Sequence, residues 1–380
     1  MYCVQPLLPL FAETFHVAAV EASLALSLTT GMVAIAIVVA AVVSERVGRR
    51  GLRFVSIALA ALLNLAAALL PGWRDLLAAR AIEGLALGGV PAVAMAYLAE
   101  EIAPEGLGQA MGLYIGGTAF GGMMGRVGVG LLADVLSWRA ALALVSGIDL
   151  AAAIGFVLLA PPSRHFVARR GFDARYHLAA WKRHLLDGRL ALLFAVGFLV
   201  MGAFVTIYNY VGFRLLKPPF SLSQGELGLL FLVYLFGIVA SSLAGTLADK
   251  IGRARVLAGG FVIAMAGAAL TLAGSLPLLI LGVAVLTVGF FATHSLASGW
   301  VGREARAAKG HASSLYLLAY YLGSSVAGSA GGWFWARGGW SWVVGFTLAL
   351  LALGLIATTR LGRSEREWRP RQGSNLRHSA

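Results

Sequence analysis

Four charged side chains interrupt long apolar stretches of this sequence and are the first candidates for chemistry. Arg80 and Glu83 are three residues apart in one stretch. Arg126 and Asp149 each lie in a later stretch. If the stretches are helices, Arg80 and Glu83 share a face and can neutralise each other. A charge among apolar residues costs several kcal/mol unless it is paired or hydrated, so such positions are functional candidates by default.

These side chains allow two kinds of chemistry. Glu83 or Asp149 could carry a proton, because an apolar environment favours the neutral form of a carboxylate. Arg126 has no acidic residue within a helical turn, so its partner must be another helix, water or an anionic substrate. Asp149 is alternatively the fixed counter-ion of Arg126 or Arg80. His294 could relay protons, although a single histidine among small polar residues is more often a hydrogen-bonded packing residue.

The composition indicates that these positions lie within a membrane. Apolar residues make up 59% of the 380-residue chain and charged residues 12%, whereas charged residues approach a quarter of a soluble protein. Helices of about 20 apolar residues span the hydrocarbon core, because a helix satisfies its own backbone polar groups there. The sequence therefore predicts an all-α polytopic membrane protein. The net charge of +13 is not concentrated in one patch, so nucleic acid is not an expected partner.

Apolar runs predict where the helices lie. Eleven runs, separated by charged or Pro/Gly-marked breaks, fall at 22–43, 54–73, 76–99, 107–133, 138–160, 190–216, 226–248, 254–273, 276–301, 312–336 and 340–361. A partial run at 1–12 precedes them.

A short motif occurs twice and divides the chain into two similar halves. Residues 45–49 and 249–253 both read acid, base, aliphatic, Gly, Arg, and the offset between them is 204 residues. The pair Ser137-Trp138 recurs as Ser341-Trp342 at the same offset. Subtracting this offset from the run at 190–216 gives a first helix that begins before Met1, so the sequence predicts twelve spans with the first one cut short.

The repeat and the polar breaks define four predicted segments. They are an N-terminal six-helix half at 1–162, a basic linker at 163–189, a C-terminal six-helix half at 190–362 and a disordered tail at 363–380. The middle of the linker is either a short amphipathic helix on the lipid headgroups or a solvated basic segment.

Basic residues predict the orientation. The linker, the tail and the connections on their side hold 23 of the 30 Lys and Arg residues, and the opposite side holds five. Because basic loops stay cytoplasmic, the linker and the C-terminus are predicted to be cytoplasmic.

The second copy of the motif, Gly245-Thr246-Leu247-Ala248-Asp249-Lys250-Ile251-Gly252-Arg253-Ala254-Arg255, resembles the G-x-L-A-D-[RK]-x-G-R-[RK] signature of the major facilitator superfamily of secondary transporters. The first copy departs from it, with Ala41, Val43 and Glu45 in place of Gly, Leu and Asp. The resemblance implies two pseudo-symmetric six-helix bundles and a latch that closes the cytoplasmic side. The implied latch residues are Glu45, Gly48, Arg49, Gly245, Asp249, Gly252 and Arg253. A turn that only sets orientation is the alternative.

Three further elements extend the resemblance. The segment 80–84 is similar to the family's R-x-x-Q-G element, with Glu83 in place of Gln. The apolar run at 107–133, the predicted fifth span, contains eight glycines between Gly112 and Gly130. It resembles the glycine-rich fifth helix of antiporter members, without their Gly-Pro pair. Because the first and seventh helices line the central cavity in this family, the resemblance implies substrate contacts at Gln5, Tyr208 and Asn209. For Tyr316, Tyr320 and Tyr321, cavity lining and packing are equal alternatives.

The residues and the resemblance together predict a proton-coupled exporter of a small molecule in a bacterial inner membrane, working as a monomer and similar to efflux permeases. Uptake or exchange of a small organic anion is the alternative, favoured by the two intramembrane arginines, and a transport-inactive receptor or scaffold is a third. Neither a phosphate-binding loop nor a nucleophile elbow occurs in the sequence, so an enzyme is not expected. With one cysteine, we expect no metal cluster and no cofactor.

Overall fold

The structure, a computed structural model, describes residues 1–47, 49–91, 97–98, 101–102, 104–159 and 174–375. Within these ranges, the side chains of 41–42, 44–47, 49–50, 104–109, 111–112, 115 and 363–375 are not described. The predictions for Gly48 and for the side chains of Glu45 and Arg49 therefore lie outside the described residues.

The N-terminal half is a series of helices that follow the predicted apolar runs. A 3₁₀ helix at Tyr2–Leu7 leads directly into α1. The α-helices of this half are α1 (Leu8–Phe15), α2 (Ala19–Val47), α3 (Arg49–Leu69), α4 (Trp73–Leu87), α5 (Pro104–Val135) and α6 (Trp138–Leu159).

The C-terminal half follows a linker helix, α7 (Ala174–Leu186), and repeats the pattern. Its α-helices are α8 (Gly188–Leu215), α9 (Gln224–Leu229), α10 (Tyr234–Ile251), α11 (Arg253–Leu270), α12 (Leu276–Glu304) and α13 (Lys309–Asn375). A 3₁₀ turn at Leu230–Val233 joins α9 to α10, so the two form one interrupted span. Among the described residues, eight segments are long and apolar enough to cross a membrane.

The last helix differs from its prediction at two points. Two predicted spans, 312–336 and 340–361, fall within α13, which is broken at Gly338 and Gly339; the latter has a φ of 63° that suits glycine. The backbone of 363–375 continues the helix, where the sequence predicts a disordered tail. Hydropathy measures whether a segment prefers lipid, and it does not report helix formation in a polar segment.

The two ends of the bundle have different contacts. At one end, here called the distal face, Trp138 donates a hydrogen bond to Thr14 (3.2 Å), and Arg139 donates to the carbonyl of Leu70 (2.6 Å). At the other end, here called the linker face, α7 packs on the start of α13. There the His177 and His311 rings are joined by a 2.8 Å hydrogen bond.

The halves meet on the distal side and in the middle of the bundle. Gly130 of α5 and Gly228 of α9 cross so closely that a Cβ on Gly130 would lie 2.6 Å from the Cα of Gly228. Ser223 donates to Asp134 across the same contact (2.7 Å), and Ser325 of α13 donates to the Ser27 carbonyl of α2 (2.7 Å). Glycine lets helix backbones approach closely where lipid provides no hydrophobic drive.

Toward the linker face, α10 exposes a small, polar face made of Ser242, Gly245, Thr246 and Asp249. Its exposed apolar residues, including Leu243 and Leu247, lie on another face and suit lipid. Every hydrogen bond recorded between the halves, within the part of the chain that is described, lies on the distal side or near the middle. These contacts close the halves at the distal face.

Candidate functional site

The core of the N-terminal half is organised around Arg80 of α4, which is fully buried. Its guanidinium donates to the side chain of Glu83, and Nε donates to the Ala25 carbonyl of α2 (2.9 Å). The same group donates to Asn64 Oδ1 (3.1 Å) and to the Met1 carbonyl (2.6 Å). Glu83 is 1% exposed, so the predicted neutralisation of these two charges takes place in the dry interior of the half.

This network continues into α6 through Asn64 of α3. Asn64 Nδ2 donates to Ser146 Oγ (2.9 Å), and Ser146 in turn donates to the Leu142 carbonyl (2.8 Å). Asp149 is one turn beyond Ser146 on the same helix face, toward the linker face. It is exposed, and its carboxylate lies within electrostatic range of Glu83. In the described part of the chain, Asp149 forms no ion pair with Arg80 or Arg126.

Arg126 of α5 lies between the two halves, surrounded by aromatic rings. Nε donates to Gln5 Oε1 (2.9 Å), and Nη1 donates to the Gly122 carbonyl (2.6 Å). Three rings face the guanidinium, those of Tyr2 (4.5 Å from CZ to the centroid), Tyr234 (5.0 Å) and Phe231 (5.4 Å). Among the described residues, no carboxylate pairs with Arg126. The sequence already showed that no acidic residue lies within one helical turn of it.

Gln5 and Asn209 connect the two halves near the centre. Gln5 Nε2 donates to Asn209 Oδ1 over 2.8 Å, and both residues are buried. Their separation of 204 residues is the offset of the repeat, so equivalent positions of the two halves hydrogen-bond to each other. Because Gln5 also accepts from Arg126, a chain of polar contacts runs from α5 of one half to α8 of the other.

The other predicted cavity residues lie in an aromatic cluster of the C-terminal half. Tyr208 is 1% exposed, shares a 2.8 Å hydrogen bond with Thr287, and stacks on Phe231. His294 is hydrogen-bonded to the Tyr316 hydroxyl (2.9 Å) and lies 4.4 Å from the ring of Tyr320. These are the contacts of a hydrogen-bonded packing residue, which was the alternative to a proton relay for His294. They connect His294 to the aromatic cluster of the C-terminal half.

Sequence reasoning missed three residues that the structure brings to this site: Asn64, Tyr2 and Tyr234. A usable signal existed for Asn64, because a carboxamide within the apolar run 54–73 must find a polar partner. No comparable signal marked the two tyrosines, since an aromatic residue in a span is most often a packing residue.

The second copy of the latch motif forms the turn between α10 and α11. Gly252 has a φ of 96°, a value that glycine adopts without a steric penalty. Asp249 and Arg253 line a small cavity together with Arg303 and Trp300 of α12. These four residues are thus gathered at the linker face.

We expect Gly252→Ala to lower the free energy of unfolding by about 1–2 kcal/mol, because a Cβ is strained at this positive φ. The space around Gly252 is open, so the loss comes from the backbone alone. Thermal unfolding of the detergent-solubilised protein measures it. The control is Gly245→Ala, in open space within a helix, which should not destabilise the protein; equal losses from both changes would contradict the backbone explanation.

Comparison with known proteins identifies the family. A sequence model described as Major Facilitator Superfamily matches residues 1–217 and 215–378. The chain belongs to this superfamily. It is 43% identical, over 366 residues, to the uncharacterized MFS-type transporter YybF of Bacillus subtilis (strain 168), covering 96% of this chain and 90% of YybF. The inner membrane transport protein YnfM of Escherichia coli (strain K12) is 42% identical, over 96% of this chain and 87% of its own.

Solved structures agree with this assignment. The nucleoside transporter NupG superposes with a TM-score of 0.77 at 16% identity, over 95% of each chain. Identity this low shows the fold alone. The predicted all-α fold and the predicted family are confirmed, and the superfamily member described here is a multi-pass membrane transporter of the secondary type.

Proposed function

We propose that this protein exports a small molecule in exchange for protons, with Glu83 as the proton-binding group. The observation that carries the proposal is the buried pair of Arg80 and Glu83. A proton on Glu83 removes its charge and breaks the pair. Arg80 keeps three other acceptors when this happens, the two backbone carbonyls and Asn64. The pair can therefore open without leaving a buried guanidinium unsatisfied, a state that would cost several kcal/mol.

Asp149 provides a route for the proton. Its carboxylate is exposed, lies within electrostatic range of buried Glu83, and sits between that residue and the linker face. A proton that leaves Glu83 while the linker face is open can therefore pass through Asp149. Arg80 and Glu83 both lie in α4. Arg80 donates to the Ala25 carbonyl of α2, and Asn64 of α3 connects Arg80 to α6, so a change of charge on Glu83 affects the packing of several helices.

Export is supported by the orientation and by α5. The basic excess at the linker face favours a cytoplasmic position for it. An opening there would load substrate from the cytoplasm, and rocking of the halves would release it at the distal face. The glycine-rich part of α5 also resembles the corresponding helix of antiporters. We place the protein in the bacterial inner membrane and expect a monomer.

Proteoliposomes with a trapped pH-sensitive dye test the coupling. With the native protein, we expect one or more compounds of a broad panel to trigger proton release from the liposomes down an imposed pH gradient. Glu83→Gln should abolish this release, and Asp149→Asn should slow it roughly 100-fold, the lower end of the range for loss of a proton-transfer group. The matched control is Glu13→Gln, an exposed acid on α1, which should behave as the native protein. Compound-driven proton release that survives in Glu83→Gln would refute the proposal.

Exchange of a small organic anion without proton coupling is the second candidate, favoured because no carboxylate of the described residues pairs with Arg126. The same liposomes distinguish the two. Uptake that depends on trapped anion and is indifferent to the pH gradient supports exchange.

A further inference from the structure

The charge of Arg126 is only partly compensated. Arg126 is 4% exposed, and its two recorded hydrogen bonds use Nε and Nη1 and go to neutral oxygens. Within the described chain, Nη2 donates to no partner, and it is not fully buried, so it faces accessible space. Removing a charge from water costs several kcal/mol unless an opposite charge and hydrogen bonds compensate for it. An anion beside Nη2 would supply both.

The rings around Arg126 leave a second polar group without a partner. Tyr234 is 5% exposed, and its hydroxyl is buried with no hydrogen bond, while its ring centroid is 5.0 Å from the guanidinium carbon. A buried hydroxyl of this kind needs a partner that the described structure lacks. An oxyanion can accept from the hydroxyl and from the guanidinium together, since a carboxylate has two acceptor oxygens.

The surroundings are aromatic and come from both halves. Tyr2 of the N-terminal half lies on Arg126 and shares a 3.3 Å hydrogen bond with Ser324 of the C-terminal half. The hydroxyl of Tyr320 lies within electrostatic range of those of Tyr2 and Tyr234. A ligand body held among these rings would be flat and largely apolar.

We propose that Arg126 and the Tyr234 hydroxyl bind the carboxylate of a small organic anion whose aromatic body packs among Tyr2, Tyr320 and Phe231. The inference rests on the proposed transport function and names its substrate class. Cations are excluded, because a second positive charge beside Arg126 is repelled in a poorly hydrated site. Neutral analogues bind more weakly, because they replace charge-assisted hydrogen bonds with ordinary ones.

The position of the site explains how binding could affect both halves. Arg126 is connected through Gln5 to Asn209, and Tyr234 begins α10, the helix whose exposed small face lies toward the linker side. An anion between Arg126 and Tyr234 therefore contacts α5 of one half and α10 of the other. Such a ligand has different contacts in the open and closed arrangements, as a transported substrate must have.

Binding to the full chain in detergent tests the site without any gradient. The probes are benzoate, phenylacetate and indole-3-acetate, each with its amide, and acetate as the anion without a ring. We expect at least one aromatic carboxylate to raise the thermal unfolding temperature in a concentration-dependent way. Its amide and acetate should bind roughly tenfold or more weakly, a difference of about 1.4 kcal/mol.

Two variants and one control locate the binding. Arg126→Gln should abolish the stabilisation, and Tyr234→Phe should weaken affinity roughly 10- to 100-fold, the range for a hydrogen bond to a charged group. Tyr234→Phe removes only an unpartnered hydroxyl, so it should fold even if Arg126→Gln does not. Arg337→Gln is the control, since Arg337 is exposed and lies over Trp333.

The inference is overturned if no probe carboxylate stabilises the protein, if amides do so equally, or if binding is unchanged in Tyr234→Phe. These failures are separable from failure of the proton-coupling proposal. Proton release that depends on Glu83, without carboxylate binding, would refute only the proposal of the anion site. Carboxylate binding that depends on Arg126, without a response to a pH gradient, would refute only the proposal of proton coupling.

Discussion

Replacing Arg80 with methionine is expected to destabilise the protein by about 3–5 kcal/mol, because the buried carboxylate of Glu83 loses its closest cationic partner and keeps only the more distant N-terminal ammonium, at 3.5 Å among the described groups. Replacing both residues, as Arg80→Met with Glu83→Gln, should recover most of this loss. A buried ion pair can often be exchanged for neutral groups at little cost, whereas a single buried charge cannot. The two residues are 0% and 1% exposed, so water cannot compensate for the missing partner.

Equilibrium unfolding in mixed detergent micelles measures both variants, and the coupling energy follows from the double-mutant cycle. Arg337→Met is the control: it removes an exposed arginine from the ring of Trp333 and should cost less than about 1 kcal/mol. If the double variant is as unstable as Arg80→Met alone, the dominant role of Arg80 is its hydrogen bonding to Ala25, Asn64 and Met1, and the charge pair is secondary.

This comparison shows which part of the site could be predicted from the sequence. Arg80 and Glu83 are three residues apart, so helix geometry alone places them in contact. The partner of Arg126 could not be predicted in this way, because Gln5 is 121 residues away in sequence. Arg126 itself was found because a charge in a long apolar run is rare. The rings that surround it come from two separate segments, residue 2 and residues 231–234, and only the packing of the two halves brings them together.

The fold also has features that the sequence predicted and features that it did not. Hydropathy located the spans, and the 204-residue offset paired Gln5 with Asn209, which the structure joins by a hydrogen bond. The sequence did not predict local backbone features such as the 3₁₀ turn at Leu230–Val233, which lies within one apolar run. Such a turn follows from how α9 and α10 each pack against their neighbours, and the hydropathy of the run is uniform across it.

Gly130→Val is expected to hold the distal face open and to abolish transport while the protein remains folded. A valine there would drive its Cβ to 2.6 Å from the Gly228 Cα, and 3.1 Å from the Gln224 carbonyl oxygen. Both atoms are backbone and cannot rotate away. Overpacking of this kind costs about 1–3 kcal/mol in a closed contact, and the open arrangement of the halves avoids it. A bias of that size shifts a two-state equilibrium roughly 5- to 150-fold.

Cysteine labelling measures the shift. Val127 is 4% exposed, and its carbonyl lies 3.2 Å from where a Cβ of Gly228 would be, so it reports on this contact. In a Cys3→Ser background, Val127→Cys should react slowly with an impermeant maleimide added at the distal face, and Gly130→Val should accelerate the reaction.

The choice of control decides whether the effect comes from the contact or from the helix. Gly128 lies two residues away in α5, and a Cβ there meets nothing within 4 Å. Gly128→Val therefore introduces the same β-branched side chain, with the same helical cost, away from the other half. Gly228→Val should reproduce the effect of Gly130→Val from the opposite side. Equal labelling in the Gly128 and Gly130 variants would show that the glycine crossing does not control the distal face, and that its closure depends on the polar contacts of Asp134 and Ser223 instead.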